Sequence, residues 1–236
     1  MTHSVKVVPY NIDWPQIFAA EARRIQHALG ENCISVHHIG STSVPGLASK
    51  PIIDMVPVVK NIVAVDTVKQ AMEQLGYEAR GEYGIPFRRH FQKGGFERTH
   101  NLHIFEEGNP EIERHLKFCE WMRIHKADRQ AYGKLKESLA LKYPNDIMSY
   151  CLGKEAFIAE IDTKAGWNGL RIVKALTERE WAAVRRFRQE FFFDGLNILD
   201  PYAWSRSLQQ HKVRRGRTLR GSCSRSLRFW HQSYDH

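Results

Sequence analysis

Between His37 and Asp54 the chain reads HHIGSTSVPGLASKPIID, and this stretch holds the residues with the clearest chemical use. Gly40 lets backbone amides approach an anion, and the hydroxyls of Ser41 and Thr42 add donors, which is what a phosphate needs. Lys50 adds positive charge. Asp54, thirteen positions after Ser41, places a carboxylate on what reads as the next strand. A nucleoside triphosphate calls for such a loop together with a divalent metal, Mg2+ or Mn2+, held by an acid on a rigid element. The same residue types also serve a tight turn whose hydroxyls bond local backbone.

Further along, RTHNLHIFE carries His100 and His103, candidate metal ligands or bases, with Glu106 less well placed. Arg88, Arg89 and Arg98 flank HFQKGGFE and are candidates for an anion-binding rim, because guanidinium forks match phosphate oxygens. A solvated hairpin accounts for them equally well. Tyr83 could stack on a base, although a core or hairpin position is the commoner use of such a tyrosine. Tyr150 and Lys154 are candidates to face the same pocket from a later helix.

These residues need a scaffold. Residues 5–8 read as a short extended lead. DWPQIFAAEARRIQHALG reads as a helix, with Asp13 as N-cap, Pro15 in the first turn and Gly30 as its stop. CISVHHIG reads as a strand ending at Gly40. IIDMVPVV reads as a strand apolar on both faces, hence central, in which Pro57 shortens the pairing or marks a bulge. VDTVKQAMEQLGYE reads as one amphipathic helix and RTHNLHIFEEG as a third strand. There Leu102 and Ile104 should face one way and His103 and Phe105 the other. From Pro110 three helical stretches follow, ending with DIMSYCLGKEAFIAEIDTKA.

Composition narrows the class. Hydrophobic residues make up 42% of the 236 and charged residues 26%, an ordinary globular balance. The formal charge of +9 is concentrated: beyond Ser205 eight basic residues face Asp235 alone, leaving +2 for residues 1–204. Nucleic-acid binding is therefore expected only through that tail. Cys33, Cys119, Cys151 and Cys223 are scattered without a paired spacing, which predicts reduced thiols in a cytoplasmic protein. No apolar run approaches the roughly 18 residues of a membrane span, so no membrane partner is expected.

HIGSTSVPGLASKPIID, with VPYNIDWPQIFAAE before it and RTHNLHIFE and SYCLGKEAFIAEI after it, resembles the GrpB-like family of the nucleotidyltransferase superfamily over about residues 5–162. The resemblance implies an α/β (α+β) fold, a nucleotidyltransferase-like mixed sheet with a helical C-terminal cap over residues 1–163. It also implies a nucleotide or phosphorylated small molecule as partner. Gly40, Ser41, Thr42, Lys50, Arg88 and Arg98 would hold the phosphates, and Asp54, His100 and His103 the metal. Asp54 and His103 would be the catalytic pair. The wider superfamily carries a second acid two positions after the first, and here that position is Val56. A valine cannot bridge two metals, so a binding module without catalysis is the alternative. Fusion to dephospho-coenzyme A kinase within the family places that alternative in the coenzyme A pathway.

Residues 164–169 read as a linker. LRIVKALTEREWAAVRRFRQEFFFDGLNILDP resembles the start of a GNAT-type acetyltransferase, with Thr177 as N-cap and Glu180 in capping-box position. The acetyl-coenzyme A loop that would hold pyrophosphate is missing after Trp204. Residues 170–204 are therefore expected to be a truncated acetyltransferase-like fragment, and 205–236 a basic, disordered tail produced by a shifted reading frame.

Overall fold

A computed structural model of the chain describes residues 5–169, 171–174, 178–194 and 212–215. The chain divides into two compact units, the first comprising residues to Tyr83 and Phe87–Gly169. Its centre is a five-stranded sheet in the order β1-β2-β5-β4-β3. These strands are β1 Cys33–Ile39, β2 Ile53–Val59, β3 Tyr77–Ala79, β4 Arg88–Lys93 and β5 His100–Glu106. β2 runs parallel to β5 and every other neighbouring pair is antiparallel, so the sheet is mixed, as the sequence implies.

The pleat sends alternate residues to opposite faces. Ile53, Met55, Leu102, Ile104 and Phe91 share one face and pack with Trp14, Ile25 and Leu29 of α1 (Trp14–Leu29), and with Met72 of α2 (Lys69–Gln74). Asp54, Val56, Asn101, His103, His90 and Arg88 share the other face, through the registers Asp54↔Asn101, His90↔His103 and Arg88↔Phe105. α3 (Pro110–Ile124) lies over that second face, its His115 ring against those of His103 and Phe105. α4 (Lys126–Lys142), α5 (Ile147–Gly153) and α6 (Glu155–Lys164) complete the helical cap.

Local departures from the sequence expectation have physical causes. The expected helix from Val65 opens instead as a 3-10 turn, Val63–Val68, and only then becomes α2. Three β-branched valines and Thr67 crowd its first turns, and such side chains weaken α-helix formation. The last expected helix is two, broken at Lys154. Asp13 makes no capping bond; its own amide donates to Asn11 Oδ1 at 2.8 Å. Pro57 does interrupt a ladder: β2 pairs with β5 at Ile53–Met55 and again at Val58 and Val59, skipping the residues between. The lead segment is tied down by the bridge of Val8 to Ser49.

In the second unit, β6 (Arg171–Lys174) pairs antiparallel with β7 (Lys212–Arg215), and α7 spans Glu178–Arg188. β7 falls inside the stretch expected to be without regular structure. Thr177, Cys223 and the rest of the tail lie outside the described residues, as does most of the expected acetyltransferase-like fragment beyond Asp194.

Candidate functional site

The loop after β1 is shaped by one glycine. Gly40 has φ +67, and a Cβ there would lie 2.9 Å from Asp54 Oδ2. The position therefore combines left-handed backbone with a close approach that only hydrogen fits. Ser41–Ser43 then forms a 3-10 turn, stitched by Ser43 Oγ donating to Gly40 O at 2.8 Å. Arg123 of α3 donates to Ser43 O and Ser43 Oγ, each at 3.2 Å, and holds the turn against the cap. Thr42 is buried, and its hydroxyl is 3.0 Å from His38 Nε2 and 3.4 Å from Ile52 O. Its side chain is spent on the fold, while Ser41 stays half-exposed beside the site.

Asp54 stands at the start of β2, where β1 ends. Asn101 Nδ2 donates to its Oδ1 at 2.8 Å, and His103 Nε2 lies 3.8 Å from the same oxygen. Burial opposes ionisation, but His103, Asn101 and the charge of Lys50 outweigh it and hold the carboxyl below its ordinary range. His103 is fixed from behind: Arg88 Nη1 is 3.0 Å from its Nδ1. Guanidinium only donates, so Nδ1 accepts and Nε2 carries the hydrogen that faces Asp54. Burial lowers the His103 pKa, and Arg88 and Arg114 add to this against the pull of Asp54. His103 is thus neutral, its Nε2–H facing the carboxylate at 3.8 Å and its Nδ1 lone pair taken by Arg88, so none is left for a metal or a proton in this arrangement.

The expected metal set does not assemble. His100 projects to the opposite face, its Nδ1 2.9 Å from Thr99 Oγ1 and its ring against Tyr77. Strand alternation alone separates it from Asp54. Val56, in the place of a second acid, is fully buried on the Asp54 face. Among the described residues no group of three His, Cys, Asp or Glu side chains could hold a metal ion. The donor set therefore does not fit an all-protein cage; of the expected ligands, Asp54 alone offers a free carboxylate oxygen to the site.

Cations gather where ligands for a metal do not. Lys136 of α4 is 2% exposed, and its Nζ donates to Ser41 Oγ at 2.8 Å and to Ala48 O. Lys50 and Lys154 both sit over the ring of Tyr150, at 5.5 and 4.5 Å from its centroid. Burial lowers the Lys154 pKa, and Lys50 lowers it further. Arg88 is committed: besides His103 it donates to Glu82 O at 3.2 Å and Tyr83 O at 2.6 Å. Arg98, in the turn before β5, has a buried Nε without a partner and makes no bond to the loop. Tyr83 is exposed, not core, and stacks on His90.

Gly40, Ser41, Lys50, Asp54 and His103 thus come together with Tyr150 and Lys154. Thr42 and Arg88 support them from behind, and His100 and Arg98 stand apart. Lys136, Asn101 and Arg123 were not singled out from the sequence. Lys136 did leave a signal: it occupies the buried stripe Tyr132, Lys136, Leu139, where helical spacing calls for an apolar residue.

Comparison with known proteins places this unit among relatives. The family model described as GrpB protein matches residues 4–164. UPF0157 protein YqkA of Bacillus subtilis (strain 168) is 44% identical over 161 residues, covering 68% of this chain and 47% of YqkA. The chain therefore spans about half the length of that relative. The crystal structure of conserved protein GrpB from Enterococcus faecalis has 43% identity and a TM-score of 0.66, covering 68% of this chain and 96% of that one. A dephospho-CoA kinase of Mycolicibacterium paratuberculosis is 25% identical over 186 residues, covering 68% of this chain and 46% of the kinase.

Proposed function

The chain belongs to the GrpB family, and from that premise we propose that its first unit binds a nucleotide or phosphorylated metabolite at the loop from Gly40 to Lys50. One observation carries this reading: the three lysines 50, 136 and 154 converge on the Ser41 loop beside a single carboxylate, Asp54. Gathered ammonium groups repel one another and lose hydration, a cost an anionic ligand offsets. Ser41 and the lysines hold the phosphates, and Asp54, kept ionised by Asn101 and His103, accepts a hydrogen bond from the ligand's hydroxyl or amine. The likeness to a protein named dephospho-CoA kinase makes coenzyme A precursors the first metabolites to test.

A second reading is nucleotidyl transfer assisted by Mg2+ or Mn2+. Asp54 favours it, because Mg2+ commonly rests on one or two carboxylates plus substrate phosphates. Val56 weighs against the two-metal form.

A thermal-shift screen of nucleotides and phosphorylated metabolites separates the readings. Binding is expected without metal and lost in Lys154→Met. A shift that requires Mg2+ or Mn2+ and vanishes in Asp54→Ala supports transfer. No shift with any phosphorylated ligand sinks both.

A further inference from the structure

Lys136 is a buried amino group whose hydrogen-bond partners, Ser41 Oγ and Ala48 O, are both neutral oxygens. The groups around it leave the charge uncompensated. Lys154, between α5 and α6, repels it; Asp54 of β2 and Glu137 of its own helix attract it from further off. Tyr132, from the same helix, presents its ring 4.7 Å from Nζ. A buried lysine without a carboxylate partner gives up its proton unless an anion arrives.

We propose that the site takes a phosphoanhydride, a di- or triphosphate chain, together with a proton, and that Lys136 accepts that proton. This rests on the phosphate-binding reading above. In the free site above pH 7 the amine is largely neutral: its N–H donates to Ala48 O, and in that state the 2.8 Å contact carries the Ser41 hydroxyl donating to the amine lone pair, the reverse of the ammonium form described above. Burial, then Lys154, lower its pKa to about 7, so the neutral form prevails above that pH. When the polyanion enters, Nζ takes a proton from solvent; no other bond forms or breaks. The ammonium then donates to Ser41 Oγ, and the Ser41 hydroxyl hydrogen turns to a phosphate oxygen. One protonation thus supplies both a charge and a second donor.

The test is calorimetric titration with inorganic tripolyphosphate at pH 8, in two buffers of different ionisation enthalpy. Wild type is compared with Lys136→Arg, which stays charged, and Lys136→Met, which cannot be charged. The ligand's own protons are common to all three proteins. Wild type should take up close to one proton more than either variant, and its affinity should fall about tenfold per pH unit above pH 7 relative to Lys136→Arg. Equal proton uptake in wild type and both variants overturns the role of Lys136 and leaves phosphate binding standing. Absence of tripolyphosphate binding by wild type even at pH 6 overturns both.

Discussion

The two faces of the five-stranded sheet are built from the same strands by alternate residues, yet they differ in kind. Toward α1 and α2 the sheet presents Ile53, Met55, Leu102, Ile104 and Phe91, closed into an apolar core. Toward α3 it presents Asp54, Asn101, His103, His90 and Arg88, closed by hydrogen bonds and ring contacts. The first face gains from removing hydrocarbon from water. The second buries Val56 and Phe105 as well, but its polar groups, already hydrated in the unfolded chain, add little net stability, so they point to use rather than to support. Stability and function are thereby divided across one layer of backbone.

That division can be broken experimentally. The largest effect is expected from Leu102→Ala on the core face: a loss of about 2–5 kcal/mol in urea unfolding, with the ligand response of the remaining folded protein unchanged. Loss of ligand response at that site would show that the faces are not independent. Next, Gly40→Ala should cost about 1–3 kcal/mol through left-handed backbone strain and also abolish the ligand shift, because its Cβ displaces Asp54.

A third expectation concerns acid. His90 is buried on the site face and its pKa is pushed down to about 2, first by burial, then by His103 and Arg88. Its folded value lies below the unfolded value near 6.5, so the unfolded chain binds more protons between those limits. Stability should therefore begin to fall as pH drops below about 6.5, by up to ~1.4 kcal/mol per pH unit from this residue. His90→Gln should flatten that slope in unfolding measured from pH 7 to 5; an unchanged slope would remove His90 from the account. The smallest effect belongs to Arg89, whose Nε–Oδ1 contact with Asp66 is 2.7 Å with an exposed aspartate. Arg89→Gln should cost about 0.2–1 kcal/mol, read as a small drop in thermal midpoint.

Much of this was legible in the sequence because it depends on local rules. The alternation of Leu102 and Ile104 against His103 and Phe105 follows from strand geometry, and the end of β1 at Gly40 follows from a glycine placed after a β-branched run. The same alternation, carried two residues back from Leu102, puts His100 on the face away from Asp54; grouping His100 with His103 as ligands set chemical type above geometry. What the sequence could not show were partners distant along the chain. Lys136 meets Ser41 across 95 positions and Asn101 meets Asp54 across 47. Only the tertiary fold decides that a helix lysine ends at a loop serine. Tyr83 settles the other way: of the core and hairpin positions its setting between glycines allows, the structure takes the hairpin, exposed and stacked on His90.

The close approach of Gly40 to Asp54 has a mechanical meaning. With 2.9 Å between the carboxylate oxygen and the place a Cβ would occupy, there is no slack between the Gly40 loop and the acidic strand. The two form a single jaw, in which Ser41 and Asp54 keep a fixed separation. On the proposed phosphate-binding reading that separation is a ruler, and it sorts ligands by length as well as by charge.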